Sequence, residues 1–181
     1  KKHIMKILKG IVFTIGGIII LLLLIALFVK KEYAIEREIV INKPKAEVFD
    51  YIKHIKNQDD YSIWNMMDPN KKQTFTGTDG TVGFIYAWDG NSDVGAGEQE
   101  ITKIDEGNRI DMELRFERPM EGVGFAHMAT EDAGNGATKV KWGMTGTSSY
   151  PMNIMNLMMD GMMGDGLEKG LANLKKNLES K

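Results

Sequence analysis

The sequence predicts an α+β fold: a curved antiparallel sheet of about seven strands wrapped around one long C-terminal helix, preceded by one N-terminal transmembrane helix. Three observations predict it. An uncharged run of twenty residues, Gly10 to Val29, lies near the start of the chain. Between Lys71 and Thr147, turn signals separate short alternating segments in succession. From Pro151 to Leu178 the period becomes helical, with Leu167, Leu171, Leu174 and Leu178 on one stripe. The helical segments are not interleaved with the strands, which argues against a wound parallel sheet.

The first element centres on Ile18-Ile19-Ile20-Leu21-Leu22-Leu23-Leu24-Ile25. At about 1.5 Å per residue, Gly10–Val29 spans the ~30 Å hydrocarbon layer of a bilayer. A cleavable signal peptide has a shorter apolar region and ends in a small-residue site. This run ends Leu27-Phe28-Val29-Lys30-Lys31, so residues 1–31 read as an uncleaved anchor and residues 32–181 as a separate domain. Lys1, Lys2, Lys6 and Lys9 precede the span, and Lys30, Lys31 and Arg37 follow it. That thin asymmetry favours a domain on the extracytoplasmic side.

Tyr33 to Ile41 alternates, with Ile35, Arg37, Ile39 and Ile41 on one face and Glu36 and Glu38 on the other, as a half-buried strand does. Asn42 reads as the cap of a helix with Pro44 in its first turn, and Val48, Phe49, Ile52 and Ile55 supply its apolar stripe. Asn57 to Trp64 is a second short helix or turn, stopped by Asp68-Pro69-Asn70. Six strands follow, at 72–76, 81–88, 98–105, 109–117, 123–131 and 138–147, joined by hairpin-length turns such as Asp89-Gly90-Asn91 and Gly134-Asn135-Gly136. The final helix then carries six of the thirteen methionines, at 152, 155, 158, 159, 162 and 163. Methionine is soft and unbranched and suits irregular or changing apolar surfaces. Gly161, Gly164 and Gly166 cluster where Met gives way to Leu, and a kink, a break or a hinge is expected there. Met155 to Met163 would then form a movable wall and Leu167 to Leu178 a fixed core.

Composition narrows the function. After residue 30 the chain holds 18 Lys and Arg against 25 Asp and Glu, a net charge of −7. An acidic domain is a poor partner for nucleic acid. The absence of cysteine excludes disulfides, thiolate metal sites and a cysteine nucleophile. Only His3, His54 and His127 are histidines, and neither a Ser/His/Asp set nor metal-ligand spacing is visible. No cofactor site is read. Asp89, Asn91, Asp93 and Glu100 have calcium-loop spacing, but Val94 stands where such a loop needs glycine and strands flank it, so a polar hairpin loop is the reading.

Several segments resemble a known family. They are Glu36-Arg37-Glu38-Ile39-Val40-Ile41-Asn42-Lys43-Pro44 leading to Val48-Phe49-Asp50-Tyr51-Ile52, then Asn57 with Trp64 and Asp68-Pro69, and Gly77-Thr78-Asp79-Gly80-Thr81-Val82-Gly83. Thr138-Lys139-Val140-Lys141-Trp142 and Gly170-Leu171-Ala172-Asn173-Leu174-Lys175 complete the likeness. With the order of elements, residues 33–178 resemble the helix-grip, or START/Bet v 1-like, fold. The motifs are similar to those of bacterial SRPBCC proteins of the polyketide cyclase/dehydrase and lipid-transport kind. That superfamily shares a cavity and not a catalytic motif, so the resemblance implies a binding space between sheet and C-terminal helix.

The strand faces name what would line it. Phe84, Tyr86 and Trp88 fall on one face, as do Met112, Leu114 and Phe116, and Trp142 lies inward on its strand. The final helix would add Met155, Met158, Met159 and Met162. By themselves these residues are satisfied by a closed core; the resemblance implies a true cavity. For acid–base work only His127, Glu98 and Glu100 present themselves. The two glutamates share a face, inward if Ile104 is inward and solvated if Gln99 and Ile101 are. Three functions compete: a membrane-anchored binding domain for a small apolar ligand or lipid, a cyclase- or dehydratase-like enzyme in the same cavity, and an interaction domain with a closed core. The first is the expectation; no catalytic residue is assigned and no protein partner is read.

Overall fold

The computed structural model describes residues 2–180; Lys1, counted above among the flanking charges, and Lys181 lie outside the described residues. Helix α1 (Lys2–Ala26) contains the apolar stretch Met5–Ala26, which stands free of the domain along its length and is buried only at its last residue, Ala26. By length and composition it is able to cross a membrane, a property a signal sequence shares.

Strand β1 (Glu32–Ile41) leads into α2 (Lys45–Lys53), a 3₁₀ turn over Ile55–Asp60 and the single turn α3 (Ile63–Met66). Six strands follow: β2 (Lys72–Thr76), β3 (Ile85–Asp89), β4 (Ala96–Asp105), β5 (Arg109–Arg118), β6 (Gly122–Gly134) and β7 (Ala137–Thr147). A second 3₁₀ turn, Met152–Met155, opens into α4 (Asn156–Glu179). The seven strands form one antiparallel sheet in the order β1-β7-β6-β5-β4-β3-β2. Only β1 pairs out of sequence, crossing to the far edge beside β7. The expected class and strand number hold. Thr81 to Gly83, expected within a strand, is instead turn, because Gly77, Gly80 and Gly83 all take positive φ.

Helix α4 packs on β1 and β7, and α2 on β6 and β7. The inward residues of β1 alternate as expected, with Ile35 and Ile41 buried beneath α4. Leu167, Leu171, Leu174 and Leu178 are all buried in the same core. At about 1.5–3 kcal/mol for each buried large aliphatic side chain, that stripe contributes roughly 6–12 kcal/mol of hydrophobic driving force. Asn42 does not cap α2. Pro44 takes the N-cap position, and the Asn42 backbone N–H donates to the Glu179 carboxylate at 2.7 Å instead.

Helix α4 does not break at its glycines, being continuous from Asn156 to Glu179. Gly164, Gly166 and Gly170 mark where large side chains press against it. A Cβ at Gly164 would meet the Arg37 guanidinium, one at Gly166 the Trp64 indole, and one at Gly170 the Trp142 ring at 2.6 Å. Arg37 lies over this stretch and ion-pairs with Asp160 and Glu168, at 3.0 and 2.9 Å.

Candidate functional site

Between the sheet, α3 and α4 lies a cavity of about 220 Å³. A ~150 Å³ hole lined by aliphatic side chains is enough to hold benzene, so this space takes a small organic molecule. Strand phase builds its walls. Tyr86 and Trp88 come from β3, Leu114 and Phe116 from β5, and Trp142 and Met144 from β7. Period-two alternation brings these same-face residues to the concave side. Trp88 lies over Gly97, where a Cβ would sit 2.8 Å from the indole, and meets Phe116 edge-on at 6.1 Å. Trp64 and Trp142 also meet edge-on, at 5.9 Å and 89°. All three tryptophans of the chain line the cavity.

Tyr86, Trp88, Leu114, Phe116 and Trp142 therefore line the space. Phe84 and Met112 do not; both are buried outside the lining. Phe84 stacks on Phe75 at 6.2 Å, and the Met112 sulfur accepts a hydrogen bond from Gln99 Nε2 at 2.8 Å. The methionines of α4 divide by helical phase. Met159 and Met163, four residues apart, pack toward the core, and Met163 lines the cavity. Met158 and Met162, on the next stripe, are exposed, as is Met155 in the 3₁₀ turn, so none of the three reaches the lining. Met159 lines a second, wide-open apolar groove with Phe28, Val29 and Leu157.

One side of the cavity is polar, and its residues escape sequence reasoning. The Lys71 side chain is only 5% exposed. Its Nζ donates to the Asn65 carbonyl at 2.6 Å and to Asp59 Oδ1 at 3.2 Å. Tyr86 Oη donates to the same Asp59 oxygen at 2.7 Å, and Gln73 Nε2 donates both to Asp59 Oδ2 and to Tyr86 Oη. Burial first, then the neighbouring Asp59, drives the Tyr86 pKa far above its ordinary value, so its hydroxyl stays protonated and remains a donor. Gln58 and Gln99 are buried in the wall, and among the described residues each side chain is partnered only by the Met112 thioether. A thioether is a weak acceptor, which leaves both amides with hydrogen-bonding capacity toward the cavity.

The three acid–base candidates are elsewhere. Gln99 and Ile101 turn inward, so Glu98 and Glu100 face outward, where Arg115 binds Glu98, Glu100 and Glu113 at 2.6, 2.7 and 2.8 Å. His127 also lies on the outer face, over Gly143, with Nε2 2.7 Å from Glu36. The β3–β4 segment is a hairpin loop in which Asn91 Oδ1 accepts from the Asp93 and Val94 N–H groups.

A family model described as polyketide cyclase / dehydrase and lipid transport matches residues 33–179. The chain belongs to that family. It is thereby a member of the SRPBCC superfamily, and its sheet and long C-terminal helix are the helix-grip fold. No curated protein matches it. Solved structures do. Norcoclaurine synthase from Thalictrum flavum, in complex with dopamine and hydroxybenzaldehyde, aligns with a TM-score of 0.64 at 10% identity over 82% of this chain and 87% of its own. A hypothetical protein of Helicobacter pylori aligns at 0.60 and 10% identity, covering 82% and 88%. Ara h 8.0201 aligns at 0.54 and 14% identity, covering 83% and 99%. At such identities the likeness speaks for the fold alone. Within the family fold, this member's cavity carries hydrophobic walls and one polar flank.

Proposed function

We propose that this chain is a membrane-anchored binding domain, with residues 1–31 as its anchor and residues 32–181 as a domain on the extracytoplasmic side that holds a small hydrophobic ligand. The observation that carries the reading is the aromatic cavity with its one polar side. Apolar walls with a few placed polar groups are the usual constitution of a small-molecule site. Tyr86, Trp88, Leu114, Phe116 and Trp142 would hold the apolar body. Gln58, Gln99 and Lys71 would meet a hydrogen-bonding or anionic end, so the ligand class is an amphiphile. The two small aromatic molecules in the norcoclaurine synthase complex support a ligand of that size.

The native tryptophans supply the test, because all three line the cavity. Full-length chain in nanodiscs is titrated with a short brominated fatty acid. Saturable quenching that Ala126→Phe abolishes is expected, since Ala126 is part of the wall and a ring there fills the space. Quenching no stronger than that by a water-soluble quencher, with no saturation, would sink the reading.

A second reading, a cyclase- or dehydratase-like enzyme, is favoured by one observation: a buried amine, a carboxylate and a protonated phenol meet at the cavity edge in Lys71, Asp59 and Tyr86. Groups of this kind are what general acid–base chemistry requires. Chemical conversion of a cavity-sized ketone, lost in Lys71→Met, would establish it; bound ligand recovered unchanged would favour simple binding.

A further inference from the structure

The sheet has two ends, and the cavity and the chain's apolar helix share one of them. Glu32, the first residue of β1, pairs with Thr147, the last of β7; Gly122 pairs with Phe116, Ala96 with Arg118 and Lys72 with Asp89. Trp88, Val94, Phe116 and Lys71, which line the cavity, all come from this end. Helix α1 stops six residues before β1, at Ala26.

The helix is also fastened there. Buried Asn153 donates through Nδ2 to the Ala26 carbonyl at 2.6 Å and to the Val29 carbonyl at 2.8 Å, satisfying acceptors that a helix end leaves open. Asn156 Nδ2 donates to the Lys30 and Lys31 carbonyls, both at 3.0 Å. Tyr150 Oη comes within 3.5 Å of the Leu23 carbonyl, inside the apolar stretch itself. If α1 spans a bilayer, Tyr150 stands at the depth of its last turn, where tyrosine is at home. Exposed apolar side chains stand at this end on separate elements: Met67 in the cavity lining, Met120 between β5 and β6, and Leu157, Met158 and Met162 in the first turns of α4. Met159 in the open groove beside α1 and Met163 in the cavity wall lie one turn apart on the same helix face.

Resting on the reading of α1 as a membrane span, we infer that this end of the domain lies on the bilayer that holds α1, and that the cavity fills from that bilayer and not from water. The occupant of the methionine-rich surface is the lipid interface. Methionine serves such a contact because its soft, flexible side chain conforms to a disordered surface. An amphiphile leaving the bilayer would pass from the groove at Phe28, Val29 and Leu157, past Met159, to Met163 and the cavity.

The chain contains no cysteine, so single labels are unambiguous. Nitroxide is attached to M162C, M120C, I19C and K103C in full-length chain reconstituted into phosphatidylcholine–phosphatidylglycerol vesicles. Lys103 is exposed near the other end of β4, about 20 Å away at ~3.3 Å per residue. Collision with oxygen, which concentrates in lipid, is compared with collision with a water-soluble nickel chelate. Expected are oxygen-dominated relaxation at 162, 120 and 19 and nickel-dominated relaxation at 103, with the ratio differing at least fivefold. Lipid contact at 19 with water contact at 162 and 120 overturns the inference and leaves the anchor standing. Water contact at 19 as well refutes the anchor, and the inference falls with it.

Discussion

Glycine to alanine in a helix ordinarily stabilises, by about 1 kcal/mol. In α4 the same substitution is expected to have opposite signs at two positions. At Gly161 nothing lies within 4 Å of a new Cβ, so Gly161→Ala gains the full helix propensity. At Gly170 the Cβ would sit 2.6 Å from Trp142 Cζ3, 0.8 Å inside the 3.4 Å edge of ordinary contact. The indole is buried and braced by two rings, meeting Tyr61 edge-on at 5.7 Å and Trp64 at 5.9 Å, so it yields to a new Cβ only by shifting toward the cavity and breaking those contacts. Overpacking of this kind costs about 1–3 kcal/mol. The propensity gain is common to both variants, so the packing cost is what separates them. At about 2–4 °C per kcal/mol for a chain of this size, melting temperatures should differ by roughly 2–12 °C, with Gly161→Ala above wild type. The measurement is thermal unfolding of full-length protein in one detergent, followed by Trp fluorescence. Equal shifts for the two variants would refute the assignment of Gly170 as the recess for Trp142.

Three further outcomes follow from named contacts. Tyr61 is fully buried, with its hydroxyl 3.3 Å from Met128 Sδ, and burial first raises its pKa well above the usual value. The unfolded chain therefore loses this proton first: stability is intact below about pH 10 and falls above it by up to ~1.4 kcal/mol per pH unit. Urea midpoints at pH 9, 10 and 11 should fall less steeply for Tyr61→Phe; parallel falls would contradict the linkage. Arg115→Met leaves Glu98, Glu100 and Glu113 facing one another on the outer face, and a loss of about 1–2 kcal/mol is expected from three partly exposed pairs. The loss should be greater at 20 mM than at 500 mM salt, because salt screens the repulsion; a salt-independent loss would point to packing instead. Asn153→Ala leaves the Ala26 and Val29 carbonyls without their side-chain donor, and tryptic cleavage at Lys30 and Lys31 should quicken severalfold while the domain's melting temperature changes little. Unchanged cleavage would mean that the junction is held by its other contacts.

Where strands alternate cleanly, the sequence already states which side chains turn inward. Met112 and Leu114 on β5, and Val140 and Trp142 on β7, are buried as their alternation requires. The pattern of β4 is ambiguous for a physical reason: a register shift between Ile101 and Lys103 breaks the period, so Ile101 and Ile104 both pack toward the core at an odd spacing. The α4 leucines are legible because polar residues occupy the other phases. The methionines are not, because Met stands on several stripes at once. Glycine carries no mark of what it accommodates, so Gly164 and Gly166, the recesses for Arg37 and Trp64, read as flexibility. Lys71 is invisible for a different reason. Its burial is set by Asp59, twelve residues earlier, and by Tyr86 across the sheet, and no periodic pattern links the three.

The sheet is open, and its two outer strands carry unpaired backbone groups that invite another strand to join. Proteins confined to two dimensions meet edge-to-edge far more often than the same number free in solution. Here one outer strand spans only Lys72–Thr76, and the other bears Glu32, Glu36 and Glu38 on its outward face. Short length and like charge each discourage such pairing. On the proposed anchoring through α1, copies held side by side in a membrane would each keep their own sheet, and their own cavity, to themselves.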